Sequence, residues 1–142
     1  MRVQCMQRGS LSVDEQREWH VEYRDRDALL AASDWLCVQL PDNAGTRDYL
    51  DHAQFACIKP GAKLINVPRA QVANRAALRA ERLSGFTLDP QYEEPDRDDD
   101  ELLAFDNVIL TLHVAAMPRH NALDDFRDLA PGTAAAMAYN FD

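Results

Sequence analysis

The amino-acid order predicts an α/β fold, a parallel sheet with helices packed on it. Short apolar segments alternate with amphipathic ones along the chain, the pattern of a helix-covered sheet rather than of a sandwich or a bundle. The run "DWLCVQL" is almost uninterrupted in apolar residues, as a strand covered on both faces should be.

Taken in order, "MRVQCM" reads as a first strand and "WHVEY" as a second. "DRDALLAAS" is a helix that turns Leu29, Leu30 and Ala32 toward a sheet, and "DWLCVQL" is a strand ended by Pro41. In "GTRDYLDHAQFACI", Leu50, Ala53 and Cys57 recur at three- and four-residue steps, so the segment reads as a helix stopped by the "KPG" turn. "AKLINV" follows as a strand and "NRAALRAE" as a helix with Asn74 as its N-cap. "GFTL" is a buried strand and "NVILT" another, beyond an acidic loop. Residues 120–129 read as a helix with Leu123, Phe126 and Leu129 on one side, interrupted by Pro131-Gly132 before "TAAAMAY".

At 142 residues the chain has the length of one domain, spanning 1–142, with no room for a second full one. A net charge of −9 and a pI near 4.8 argue against nucleic acid and anionic membrane as partners. Cys5, Cys37 and Cys57 each sit in an apolar stretch and read as reduced, buried thiols, not a disulfide framework. No run approaches the roughly 20 apolar residues of a bilayer span, and "MRVQCMQRGS" lacks a signal-peptide core, so the chain reads as cytoplasmic. "EEPDRDDDE" reads as a solvated acidic loop, and Trp19 and Trp35 as core or rim packing. His20, His52, His113 and His120 lack ligand spacing, so no metal site is expected.

Doubly wound sheets place ligands at the carboxyl ends of their strands. Arg69, Asp89 and His113 each lie just past the end of an expected strand, and Glu94 is five residues beyond Asp89. A guanidinium clamps a carboxylate through two parallel hydrogen bonds. An imidazole exchanges a hydroxyl proton near neutral pH, and a neighbouring carboxylate favours its protonated form. Together these groups describe oxidation of a 2-hydroxy acid with the hydride passing to a nicotinamide. Taken singly, Arg69 and Glu94 are ordinary surface residues, and Asp89 a cap on the turn before Pro90.

At these residues the sequence resembles the D-isomer-specific 2-hydroxyacid dehydrogenases. "LLAASDWLCVQLP" resembles that family's strand and loop before the cofactor, and "TRDYLDHAQFACIKPGAKLINVPRAQVANRAAL" its long signature ending in the arginine loop. "LDPQYEEP" resembles its acid loop and "NVILTLHVAA" its histidine strand, and the likeness runs from about residue 1 to about residue 125. The resemblance implies that Arg69 holds the substrate carboxylate, that His113 is the acid/base and that Glu94 pairs with it. It implies that Asp89 contacts the nicotinamide carboxamide, with Val67 and Pro68 beside the nicotinamide and Leu40 and Pro41 against the adenosine. The cofactor implied is NAD or NADP, and the substrate a small 2-hydroxy or 2-keto acid.

The departures are equally specific. The five glycines, Gly9, Gly45, Gly61, Gly85 and Gly132, form no G-x-G-x-x-G, so the family's pyrophosphate loop is absent with its strand. The expected fold is therefore an incomplete Rossmann-like doubly wound parallel sheet, helices on both faces, without its central first strand and without a separate substrate domain. The first strand here ends on Gln7 and Arg8 where the family carries a ribose-binding acid; Arg8 favours a 2′-phosphate, or is simply a surface arginine. Leu112 replaces the proline before the histidine, and the chain is about four residues short between 78 and 85, close to one helical turn. Such a sheet must pair its first strand with "DWLCVQL" or leave two edges, which points to a homo-oligomer or to dependence on a partner segment. The alternative to a dehydrogenase portion is a catalytically inactive remnant or interaction module of the same descent.

Overall fold

Among the described residues six short strands, all parallel to their neighbours, form two separate sheets. The first pairs β1 (Gln4–Cys5) with β2 (Glu22–Tyr23). The second has the order β3 (Trp35–Val38), β4 (Lys63–Asn66), β5 (Gly85–Leu88), β6 (Val108–Leu110). The computed structural model describes residues 1–78, 82–94, 97–111 and 113. The chain divides into a unit Met1–Leu112 and a unit His113–Asp142. The helix expected over residues 120–129, and "TAAAMAY" after it, lie outside the described residues.

Helix α1 (Val13–Glu18) was not expected, although its start is written in the sequence. Ser12 accepts from the Glu15 amide at 3.3 Å while its own amide donates to the Glu15 carboxylate at 2.7 Å, a reciprocal capping box. Hydrogen bonds from the Ser12 hydroxyl and amide hold the Glu15 carboxyl below its usual range. Helix α2 (Arg26–Ala32) is the expected one, capped by Asp25, which accepts from the Ala28 amide at 2.9 Å; Leu30 is its buried residue.

The helix expected over "GTRDYLDHAQFACI" is corrected to a shorter α3 (His52–Cys57), capped by Asp51 and Gln54. Asn43 and Thr46 hold the residues before it in turns through local hydrogen bonds, which compete with helix. Its buried face carries Phe55, with Ile58 at the C-cap, whereas Ala53 and Cys57 are exposed. Leu50 forms an isolated parallel bridge with Ala73 instead of joining the helix. The expected helix "NRAALRAE" is corrected likewise: its described part is a 3₁₀ turn, Arg75–Ala77, with Asn74 accepting from the Ala77 amide at 3.2 Å. "KPG" is the expected turn, with Gly61 at φ +80°, open to glycine at little cost.

The register of the larger sheet sorts its residues by face. Leu36, Leu64, Phe86 and Val108 form one row, and Val38, Asn66, Leu88 and Leu110 the next. These rows meet Leu30, Phe55 and Ile58 in the core. The other face carries Cys37, Ile65, Thr87 and Ile109 in one row, and Trp35, Lys63 and Gly85 in another. There Trp35 is 59% and Ile109 60% exposed, with the Lys63 ammonium 4.8 Å above the Trp35 ring. The expectation that β3 is covered on both faces is thus corrected, and so are the buried thiols: Cys37 and Cys57 are exposed and Cys5 is half-buried. Trp19 is exposed as well, so neither tryptophan packs in the core.

Of the two outcomes expected for the incomplete sheet, the chain takes the second. β1 and β3 do not pair, and each is the edge of its own sheet. A contact of 3.8 Å between the Tyr49 hydroxyl and the Met6 sulfur links the segments beyond these two strands.

Because Phe86 is fully buried and Ile109 is not, the two faces should respond differently to substitution. Phe86→Ala should lower stability in urea unfolding by about 3–5 kcal/mol, whereas Ile109→Thr should cost under about 1 kcal/mol.

Candidate active site at the carboxyl rim of the larger sheet

The rim is organised by a polar residue at the end of an apolar strand. Asn66 closes β4, is 0% exposed, and donates from Nδ2 to the Arg69 carbonyl at 3.0 Å and to the Ala70 carbonyl at 3.5 Å. Its own carbonyl accepts from the Asp89 amide at 3.1 Å. One residue therefore holds the loop after β4 and the first residue after β5. Asn66 Oδ1 is buried with no hydrogen-bond partner among the described residues, and such an acceptor costs about 1–3 kcal/mol while it stays unpaired.

Arg69 precedes a 3₁₀ turn, Ala70–Val72, in extended conformation, and its exposed guanidinium donates through Nη1 to the Pro68 carbonyl at 2.7 Å. Val67 and Pro68 are half-buried beside it. Asp89 is buried, and its Oδ1 accepts from the Thr111 hydroxyl at 2.6 Å; the Thr111 amide in turn donates to the Leu88 carbonyl at 3.0 Å. Exposed Glu94 turns back on its own loop, where Oε1 accepts from the Gln91 amide at 3.1 Å, and the Gln91 side chain donates to the Thr111 carbonyl at 2.9 Å.

The structure thus brings the Arg69 loop, Asp89 and Glu94 to one rim. His113 belongs to the second unit, where it holds φ +53°, a left-handed conformation uncommon for a residue with a side chain. Gln7 and Arg8 follow β1 in the other sheet and are exposed, with the Gln7 carbonyl accepting from the Tyr23 hydroxyl at 3.4 Å. Leu40 and Pro41 follow β3, half-buried and exposed respectively.

Sequence reasoning passed over Asn66, Gln91, Tyr92 and Arg75. A signal existed for Asn66, since an amide ending an apolar strand has to find partners when buried. Tyr92 carried only the hint of one aromatic in an acidic stretch. Its hydroxyl donates to the Ala73 carbonyl at 2.7 Å, and the Arg75 guanidinium lies 5.3 Å from its ring centroid. The acidic loop is solvated as expected at Glu93, Glu94, Asp98, Asp99 and Glu101, whereas the Asp100 side chain is 15% exposed and accepts a hydrogen bond from Arg75 at 2.8 Å. No helix of the described residues is long and apolar enough to cross a membrane.

Comparison with known proteins agrees with this fold. Residues 1–115 match the family model "D-isomer specific 2-hydroxyacid dehydrogenase, NAD binding domain". Glyoxylate/hydroxypyruvate reductase B of Enterobacter agglomerans is 32% identical over 129 residues, covering 88% of this chain and 40% of the reductase. D-3-phosphoglycerate dehydrogenase of Archaeoglobus fulgidus is 34% identical over 108 residues, 73% of this chain and 20% of its own. Among solved structures, the apo D-mandelate dehydrogenase of Rhodotorula graminis superposes with a TM-score of 0.76 at 26% identity, over 91% of this chain and 38% of its own. A family member from Xanthobacter autotrophicus Py2, solved with NADPH and MES, gives 0.71 at 27% identity, over 92% and 57%. The chain thus spans about two-fifths of the length of the first of these relatives.

The cofactor of the matched domain is a nicotinamide dinucleotide, and the rim suits only one end of it. Asp89 is a buried acceptor, and acceptors are the groups that the donor-bearing carboxamide of a nicotinamide needs. For the pyrophosphate the 142 residues offer no glycine-rich cradle. A rim that joins an arginine loop to a buried aspartate, on this Rossmann-like sheet and over this length of match, places the chain in the D-isomer specific 2-hydroxyacid dehydrogenase family, within its NAD binding domain.

Proposed function

We propose that the chain is the nicotinamide-side portion of a cytoplasmic NAD- or NADP-dependent oxidoreductase that acts on the CH–OH group of D-2-hydroxy acids and reduces 2-keto acids in the reverse direction. The observation that carries this reading is the double hold of Asn66 on the Arg69 carbonyl and the Asp89 amide, which brings a cation-bearing loop and a buried carboxylate to one strand-end rim.

Arg69 presents an exposed fork to the substrate carboxylate. His113 takes the 2-hydroxyl proton as the C2 hydrogen leaves with its electron pair, and returns it in the reverse direction. Glu94 is the carboxylate assigned to work with it, and the left-handed φ of His113 is the kind of restraint that gathers at functional sites. Asp89 orients the carboxamide, and a nicotinamide held there supplies the hydride acceptor. The unpaired edges of β1 and β3 expose backbone hydrogen-bonding groups, which supports completion of the sheet by a second copy or by a complementary segment before turnover.

Two measurements test this. In a fluorescence titration of the 142-residue chain with NADH, and separately with NADPH, one of the two should bind saturably in the micromolar range. Asp89→Ala should weaken that binding at least about tenfold, as loss of a charged hydrogen-bonding partner does, and Arg69→Ala should change it less than about twofold while abolishing any response to added glyoxylate. Failure of both nucleotides to bind up to millimolar concentration would leave the inactive remnant as the better reading. In light scattering after size exclusion, the purified chain should run above its 16.0 kDa monomer mass. A uniform monomer with a cooperative, high melting temperature would defeat the edge argument.

A further inference from the structure

The segment joining Asp89 to Glu94 is a short loop that also carries Gln91 and Tyr92, and it continues into "EEPDRDDDE", where one arginine stands among seven acids. Left to itself such a loop splays, because like charges repel and no apolar residue within the acidic run anchors it. The structure supplies anchors on both sides. Toward β6, the Gln91 side chain donates to the Thr111 carbonyl at 2.9 Å. Toward the arginine loop, the Tyr92 hydroxyl donates to the Ala73 carbonyl at 2.7 Å.

The second anchor is reinforced by a cation. The Arg75 guanidinium lies 5.3 Å from the Tyr92 ring centroid, donates to Asp100 Oδ1 at 2.8 Å and reaches the Glu101 carboxylate at 3.5 Å. Asp100 Oδ1 also accepts from the Leu102 amide at 2.8 Å, capping the 3₁₀ turn Glu101–Ala104. The Arg75 and Asp100 side chains are 30% and 15% exposed, so this pair is shielded more than an open surface bridge. Burial pushes the Tyr92 phenol well above its ordinary range, which keeps it a neutral donor. A single chain of contacts, Ala73 to Tyr92 to Arg75 to Asp100, joins the loops after β4, after β5 and before β6.

We propose that Tyr92 and Arg75 are positioning residues that hold the acid loop in register with the arginine loop, and so set where Asp89 and Glu94 stand relative to Arg69. The assignment rests on the nicotinamide-site reading above for its purpose, and on geometry alone for its existence. Neither residue is assigned a contact with substrate or cofactor. Their effect passes through Asp89 and Glu94, and this separates positioning from mere stabilisation.

The experiment uses the full 142-residue chain with Tyr92→Phe, Arg75→Gln and Arg75→Lys, each also on an Asp89→Asn background. NADH affinity and amide hydrogen exchange of peptides from residues 66–78 and 86–94 are measured, with residues 26–32 as reference. Tyr92→Phe removes one oxygen and should weaken NADH binding about 3- to 10-fold, the size of one lost hydrogen bond. It should raise exchange in residues 86–94 several-fold and leave residues 26–32 unchanged. Arg75→Gln should act in the same direction, with Arg75→Lys in between. On the Asp89→Asn background the Tyr92→Phe effect on affinity should nearly vanish, because the path through Asp89 is already broken.

An equal effect on both backgrounds, or unchanged exchange in residues 86–94, would overturn the assignment. If the wild-type chain binds no NADH, the nicotinamide reading fails by itself, and the exchange result alone then decides whether the loop is held by Tyr92. An alkaline titration adds an independent check. The unfolded phenol ionises near the ordinary tyrosine value of about 10 and the folded one higher, so between the two the unfolded chain has released a proton that the folded chain keeps. Stability should fall as pH rises through that window in the wild type, and Tyr92→Phe should lack that part of the slope.

Discussion

The rim depends on the amide of Asn66. It sits where β4 stops making ladder hydrogen bonds, and it takes over their work in two directions, holding the Arg69 and Ala70 carbonyls with its side chain and the Asp89 amide with its backbone. An apolar residue there would leave two loop carbonyls without their side-chain donor at a buried position. The Oδ1 that remains is buried with no hydrogen-bond partner among the described residues.

The second constraint is the break between the sheets. Parallel strands gain stability when pairing continues on both sides, and here β1 and β3 each stop at an edge. The chain compensates locally. α1 and α2 are both capped by side chains, and Tyr49 reaches from the loop after β3 to Met6 beyond β1 and to the Arg26 guanidinium, 5.1 Å from its ring. Such contacts hold the two sheets in one unit without supplying the ladder between them.

The presence of the strands was legible in the sequence because each follows from a short apolar run closed by turn residues. "GFTL" is β5 to the residue, and Arg69 and Asp89 fall past their strands as read. What escaped did so for physical reasons. Leu50, Ala53 and Cys57 had helical spacing, but Leu50 is buried by a bridge to Ala73 and the true apolar face is Phe55 and Ile58, one step out of phase. The signal for α1 was the S-x-x-E box at Ser12 and Glu15, visible only to a reading that looks for caps as well as apolar periodicity. Tyr92 and Arg75 could not be found from one sequence, because nothing local in an acidic loop says which aromatic will fold back to a carbonyl nineteen residues away.

The contrast between the two charged groups at the rim follows from when each must lose water. Asp89 is buried in the folded chain, and a carboxylate there is tolerable only with donors already in place, which Thr111 provides at 2.6 Å. Arg69 keeps its guanidinium exposed, with Nη1 donating to the Pro68 carbonyl of its own loop. A fixed buried acceptor beside a solvated cation suits a site that recognises one part of its ligand through a preformed surface and clamps the other on arrival. It also explains why positioning falls to the acid loop: the exposed arginine adjusts by rotating its side chain, whereas the aspartate moves only with its backbone. Contacts that fix that backbone, from Gln91 on one side and Tyr92 with Arg75 on the other, therefore govern the rim more than any contact made by Arg69 itself.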